Sequence, residues 1–506
     1  MIARELGEAI PRAAGRDLKS LIADLGGHDF GTLRQALREA DSAQGPAVVF
    51  AYTVKGWGLP IAGDPLNHSA LLTEKDVGEL RVALGVPADD EWAQLPDGSP
   101  GGRLVAARKA GFQRRTKRAA TLAALPADLG RDYTGNMSTQ QAFGQVLTAI
   151  ARADPKSAER LVTVSPDVAT STNLGGWINR VGVWNPTVIA DLFSEQGPRL
   201  VQWKRGPSGR HIELGISETN LLMLLGQLGL AAELFDEPML PIGTLYDPFV
   251  ARALDAYIYS VYSGSRFILV GTPSGITLSP EGGAHQSIVT PSIALAMPRV
   301  AYWEPCFAIE LEWILLHCLN HLHGEGSEAA YLRLSTAPVD QSLAPPYTDR
   351  EERRKHVLSG LYCAIDCTGE PGARPSNRVD LWATGVMVPI ALEAARELKL
   401  DGIYASVFNC LSPDLVYRTW HARTHTEMQT LRPRNESAGV PIVTVIDGHP
   451  SALAWVGSSR GVRSYPLGVT EFGESGQPSD LYTKSQIDVE SICLAAYAAI
   501  GGPDLR

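Results

Sequence analysis

An α/β chain built on mostly parallel sheets is predicted by two alternations in this sequence. Segments with a 3.6-residue apolar period alternate with short continuous apolar runs, of which Leu161–Val164, Phe267–Val270 and Ala329–Leu334 are the clearest. Runs that are apolar throughout suit strands covered on both faces, as parallel sheets are. At 506 residues, 44% apolar and 20% charged, the chain has room for two or three domains with their own cores.

Residues 1–95 read as helices at Leu18–Leu25 and Gly31–Glu39, followed by the short apolar run Ala47–Tyr52 of buried-strand type. Residues 96–133 read as a linker, from Pro96, Pro100, Gly101 and Gly102 through the basic run Arg114–Arg118 to Pro126. In 134–340 a βαβ pattern begins. Ser138 and Gln141 form a capping-box signature for a helix through Ile150. A second break, rich in proline and charge, separates this part from 350–506. There the runs Val379–Thr384, Gly402–Phe408 and Pro441–Ile446 alternate with a helix at Pro389–Leu398. No short repeat or low-complexity tract interrupts the pattern.

The net charge of −10 disfavours nucleic acid as a partner, because phosphate binding needs a basic surface. Cys306, Cys318, Cys363, Cys367, Cys410 and Cys493 are scattered, and Cys363/Cys367 has no second pair at zinc spacing, which suits reduced thiols in a cytoplasmic protein. The amino terminus opens on charge without a signal-type apolar segment. Leu221–Leu230 is too short and too interrupted to span a bilayer. Asn435-Glu436-Ser437 is a chance sequon in this setting.

Chemistry concentrates in a few Gly-rich segments. Glu218 follows Gly215-Ile216-Ser217 and opens a largely apolar segment, so it belongs to the first turn of a buried helix. The helix dipole favours its carboxylate and apolar surroundings favour the neutral acid; local chemistry alone also allows a first-turn acid that only complements the dipole. In Pro280-Glu281-Gly282-Gly283-Ala284-His285-Gln286, three small residues let the backbone approach a ligand and leave the imidazole of His285 unobstructed. A histidine with a purely structural hydrogen bond fits the same residues. His68, after Lys55-Gly56-Trp57-Gly58, lies in a comparable loop, and Asp167 follows a strand in Ser165-Pro166-Asp167, where a turn aspartate is an equal reading. His317, His321 and His323 lack an HExxH motif and a third ligand, so a metal is not expected there. Asp447-Gly448-His449-Pro450 reads as a turn after a strand.

Taken in order, Lys55–Gly58 with Asn67-His68, Gly215–Glu218, Glu281–Gln286 and Asp447–Pro450 resemble the transketolase-like thiamine diphosphate enzymes, most closely the homodimeric type of pyruvate dehydrogenase decarboxylating component. The longest matching stretches are Ser165–Val183, His211–Leu230, Pro241–His285 and Tyr331–Gln341. The resemblance implies two parallel-sheet domains of the thiamine diphosphate type, the first only partial at 1–95 and the second at 134–340, plus a transketolase carboxy-terminal-type α/β domain at 350–506. It implies that Glu218 bonds the cofactor's aminopyrimidine and, by sharing a proton there, lets the exocyclic amine deprotonate the thiazolium carbon. Ile216, Tyr246 and Phe249 then flank the pyrimidine, with Asp167 and Glu281 as further cofactor neighbours. His285 and His68 bind substrate oxygens and relay protons.

The family's Gly-Asp-Gly segment, which holds Mg²⁺ and the diphosphate, occurs nowhere in the sequence, and only 54 residues precede Lys55, where it belongs. Magnesium bound by this chain's own residues is therefore not expected. The resemblance implies a homodimer, or a complex with a chain supplying the diphosphate-binding segment, and a lipoyl acyltransferase as a further partner. The reaction implied is decarboxylation of a 2-oxo acid such as pyruvate. Transketolase chemistry is the alternative, weakened by Thr336-Ala337-Pro338 standing where a phosphate-binding arginine is expected. A non-catalytic subunit or truncated pseudoenzyme is the other alternative.

Overall fold

The computed structural model describes residues 26–90, 92–111, 122, 124–153, 155–190, 201–422 and 439–501. The expected helix at 18–25, the basic run at 114–118 and the sequon at 435–437 lie outside them. The chain divides between Thr116 and Lys117 into two units.

The first unit holds the helices Phe30–Ser42, Glu74–Leu84 and Pro100–Gly111. The last lies inside the stretch read as a linker. Local rules explain the second helix. The Thr73 hydroxyl accepts from the Asp76 amide at 3.2 Å, Asp76 accepts from the Thr73 amide at 2.9 Å, and Gly85 closes the helix at φ 66°, a conformation that favours glycine. Burial does not follow: among the described residues of this unit only Gly27 and Gly102 are buried. The run Ala47–Tyr52, expected as a buried strand, is neither buried nor a strand. A strand exists only if a neighbour satisfies its N–H and C=O groups, and no described residue pairs with this one.

The second unit contains an eight-stranded parallel sheet. Its order is Arg205–Gly206, Val183–Trp184, His211–Glu213, Leu161–Ser165, Leu240–Leu245, Ile268–Gly271, Ala329–Arg333 and Val300–Trp303. Successive side chains enter opposite cores. Ile268 and Val270 pack with Phe143, Leu147 and Trp313, whereas Leu269 packs with Leu221, Leu225 and Tyr257. The helix Thr139–Ala153 starts as its sequence dictates, with the Ser138 hydroxyl and the Gln141 amide side chain each accepting from the other's backbone N–H at 3.1 Å.

A second sheet runs Leu361–Ile365, Tyr404–Cys410, Arg378–Ala383, Ile442–Val445 and Ser464–Leu467, parallel except for its first pair. Its residues Val379, Leu381 and Val443 belong to the same apolar cluster as Phe143 and Trp313, so one core runs across both sheets. Buried Glu310 adds a polar tie, accepting from the Cys306 and Phe307 amides and from Asn409 Nδ2 at 2.9 Å each.

Candidate active site

Four loops follow the carboxyl ends of adjacent strands of the large sheet, the end at which open α/β sheets bind ligands. Leu161–Ser165 leads to Asp167, His211–Glu213 to Glu218, Leu240–Leu245 to Tyr246 and Phe249, and Ile268–Gly271 to the loop bearing His285. The parallel register is thus what brings residues 118 positions apart in sequence to one edge.

Glu218 is the first residue of the helix Glu218–Leu228, whose Leu221, Leu222, Leu225 and Gly226 are buried. Its carboxylate is 12% exposed and accepts from Arg252 Nη1 at 3.1 Å. The Arg252 guanidinium in turn lies 3.8 Å from the centre of the Phe249 ring, a cation–π contact. Phe249 and Tyr246 stack with centroids 6.0 Å apart and planes 10° from parallel. His285 presents its ring edgewise to both, at 6.1 Å from Tyr246 and 5.7 Å from Phe249, and its Nδ1 is buried with no hydrogen-bond partner among the described residues. A buried imidazole nitrogen without a partner is costly where it only supports the fold and useful where a ligand supplies the missing bond.

The structure thus joins Glu218, Tyr246, Phe249 and His285 through Arg252, which the sequence reading missed. An arginine three residues beyond an aromatic on a helical turn was the available signal. Ile216 is exposed two residues before Glu218. Asp167 is exposed in the left-handed region at φ 68°, its amide donating to Glu213, and Glu281 is exposed on the His285 loop. His68 belongs to the other unit, exposed, with its Nδ1 2.6 Å from Lys55 Nζ.

Also missed was a buried polar cluster directly behind the aromatic pair. Asp247 is fully buried and accepts from Tyr331, from Arg333 Nε at 2.9 Å and from Thr290 Oγ1 at 2.6 Å. Arg333 Nη1 donates to Glu304 Oε1 at 2.8 Å, and Tyr302 donates to the other Glu304 oxygen. Burial pushes the Glu304 carboxyl up, partly offset by the charge of Arg333. The same balance pushes Asp447 up to about 6. No cluster of three metal-ligating side chains occurs among the described residues; His317 and His321 merely pack ring to ring, with centroids 4.0 Å apart, and burial lowers His317 to about 4. No described helix is long and apolar enough to cross a membrane.

Comparison with known proteins bears on this arrangement. Residues 135–336 match the transketolase pyrimidine-binding domain family, and residues 360–488 match the transketolase-like carboxy-terminal domain family. The pyruvate dehydrogenase E1 component of Mycobacterium tuberculosis is 29% identical over 459 residues, covering 83% of this chain and 47% of that protein. A chromosomal transketolase of Cupriavidus necator is 25% identical over 497 residues, covering 94% of this chain and 67% of the relative. The structure of a transketolase from Leishmania mexicana superposes with a TM-score of 0.66 at 20% identity, covering 94% of this chain and 65% of that one. The chain spans about half the length of the pyruvate dehydrogenase relatives. The chain thus carries matches to the transketolase pyrimidine-binding and carboxy-terminal domains, and its fold is that of the transketolase-like thiamine diphosphate enzymes.

Proposed function

We propose that this chain supplies the pyrimidine half of a thiamine diphosphate site in a pyruvate dehydrogenase-type component that decarboxylates a 2-oxo acid, pyruvate first among candidates. The carrying observation is the convergence, at one edge of the sheet, of a first-turn carboxylate, a stacked aromatic pair and an imidazole whose Nδ1 has no partner among the described residues. These fit an aminopyrimidine, which needs an acid at its ring nitrogen, a flat apolar wall, and polar groups toward its reactive side. They do not fit the magnesium that anchors a diphosphate, since no group of three or more His, Cys, Asp or Glu side chains able to hold a metal occurs among the described residues.

When bound, the cofactor supplies the nucleophilic carbon and the electron sink for decarboxylation. The protein's share is proton handling and positioning. Glu218 exchanges a proton with the pyrimidine ring nitrogen, Tyr246 and Phe249 hold the ring plane, with Ile216, Asp167 and Glu281 as further cofactor neighbours, and His285 carries a proton to or from substrate oxygen. His68 is proposed as a second proton carrier on the family resemblance alone. The working form is a homodimer or a complex in which a diphosphate-binding segment completes the site, with a lipoyl acyltransferase receiving the acyl group. The oxo acid is favoured over a sugar phosphate because Leu334-Ser335-Thr336-Ala337-Pro338 carries no cation, and the adjacent Arg333 is fully buried against Asp247 and Glu304.

Calorimetric titration of thiamine diphosphate with Mg²⁺ tests this reading. Weak binding to the chain alone, and tight binding with pyruvate turnover once a polypeptide carrying Gly-Asp-Gly is co-expressed, is the expected result. Tight stoichiometric binding by the chain alone places the anchor within it, and no binding in either case overturns the proposal.

A further inference from the structure

The loop 272–287 that carries His285 is held from behind by the carboxy-terminal domain. Both Asp447 oxygens lie 3.0 Å from the amide nitrogen of Ile276. Gly275 sits so close, at φ 62°, that a Cβ there would fall 2.2 Å from Asp447 Oδ2. Ser279 Oγ donates to the Gly476 carbonyl at 2.8 Å, and Gln286 Nε2 donates to the Glu474 carbonyl at 2.7 Å. A Cβ on Gly283 would fall 1.9 Å from the Gly473 carbonyl oxygen, so no larger residue fits beside His285. The turn Asp447–Pro450 is therefore a clamp on this loop.

Arg333 closes the circuit. Its Nη2 donates to the Asp447 carbonyl at 2.6 Å and to Ser287 Oγ at 3.1 Å, and Ser287 Oγ in turn accepts from the Gly275 amide at 3.0 Å. Its Nε holds Asp247, which stands between Tyr246 and Phe249 in sequence. One fully buried guanidinium thus bonds the segment bearing the aromatic wall, the segment bearing His285 and the carboxy-terminal domain. Three carboxyl groups around one cation are an expensive way to fill a core, and apolar residues of equal volume stabilise as well or better. What such a cluster provides is a fixed fork geometry.

We propose that Arg333 and Asp447 are positioning residues, through which the carboxy-terminal domain sets the distance between His285 and the wall of Tyr246 and Phe249. This rests on the reading of that edge as the pyrimidine site, and gives the carboxy-terminal domain a part in the site's geometry.

Hydrogen exchange across 274–287 and the NMR titration of the His285 imidazole, both on the full chain without cofactor, test it. Asp447→Ala is expected to speed exchange of these amides at least about tenfold, the signature of local opening, and to move the His285 midpoint. Asp447→Asn, which keeps an acceptor for Ile276, is expected to restore both. Val443→Ala, a core deletion in the carboxy-terminal sheet, is expected to lower the thermal midpoint and leave both unchanged. Arg333→Lys, which keeps the charge and loses the fork, provides the same reading if Asp447→Ala does not fold, with faster exchange at 274–287 expected. Unchanged loop exchange, or equal behaviour of the Ala and Asn variants, or the same loosening in Val443→Ala, overturns the proposal. Because no readout uses the cofactor, loss of the pyrimidine reading by titration leaves this result standing, and the reverse also holds.

Discussion

Ala47–Tyr52 and Phe267–Val270 are comparable apolar runs that end in opposite states. Phe267 is fully buried, and the strand that begins beside it pairs with Leu240–Leu245 on one side and Ala329–Arg333 on the other. Phe50 is 91% exposed in a segment with no strand partner among the described residues. The same contrast holds for whole units. In the second, helices cover both faces of the large sheet; in the first, the helix Phe30–Ser42 buries none of its residues. Apolar patterning states a need for burial, and only neighbouring chain meets it.

Two truncations, measured by chemical denaturation of the second unit's transition, separate these regions most widely. Phe267→Ala is expected to cost about 3–5 kcal/mol, as for a fully enclosed aromatic, whereas Phe50→Ala stays within about 0.5 kcal/mol. Equal effects would mean that Phe50 is enclosed in solution. Addition of a diphosphate-domain polypeptide should raise the cost of Phe50→Ala alone.

Chemistry separates the units next. In a reconstituted complex, Glu218→Gln is expected to slow exchange at the cofactor's thiazolium carbon by about 10²–10⁴-fold, the usual cost of losing a positioned proton-transfer group. Its melting temperature should barely move, because a first-turn dipole contact is worth only about 0.3–1 kcal/mol. His68→Ala should leave pyrimidine binding by the isolated chain unaltered. Unchanged exchange in Glu218→Gln returns that residue to a simple helix-end acid.

A third test exploits burial itself. Asp447 holds its proton more tightly in the folded chain than at its ordinary value of 3.8, because burial raises it to about 6. An acid raised on folding stabilises the protonated form, so wild type gains stability relative to Asp447→Asn as pH falls from about 6 toward 3.8. Above pH 6 the difference is constant. Melting curves of both proteins from pH 4 to 7.5 read this directly; a difference independent of pH would show that Asp447 keeps its ordinary affinity for the proton.

The smallest expected effect is that of Arg252→Met. The arginine is 56% exposed, and a screened ion pair of this kind contributes about 0–1 kcal/mol. Thermal denaturation should show a shift of that order at most, while thiamine diphosphate affinity of the reconstituted complex shifts if the arginine helps to hold Glu218 and Phe249 in place. A large loss of stability would identify Arg252 as a structural residue.

Much of this was legible before any coordinates. Ser138 with Gln141 announced a helix start because a capping box depends on three residues of spacing alone, and the continuous apolar runs announced strands covered on both faces because period and hydropathy are local properties. Glu218 and His285 were visible locally as a helix-start acid and an imidazole among small residues, whereas Tyr246 and Phe249, and the cofactor role of Glu218, came only from the family resemblance. Arg252, Asp247 and Arg333 did not stand out, and Asp447 read only as part of a turn. Arg333 and Asp447 are 114 residues apart, and nothing local distinguishes a buried guanidinium from a solvated one. Nor could the apolar run Ala47–Tyr52 reveal whether a partner strand stands beside it. Sequence fixes what each segment requires through short-range geometry and hydropathy; which distant group meets that requirement is decided by strand order and packing, because hydrogen bonds and burial depend on neighbours in space.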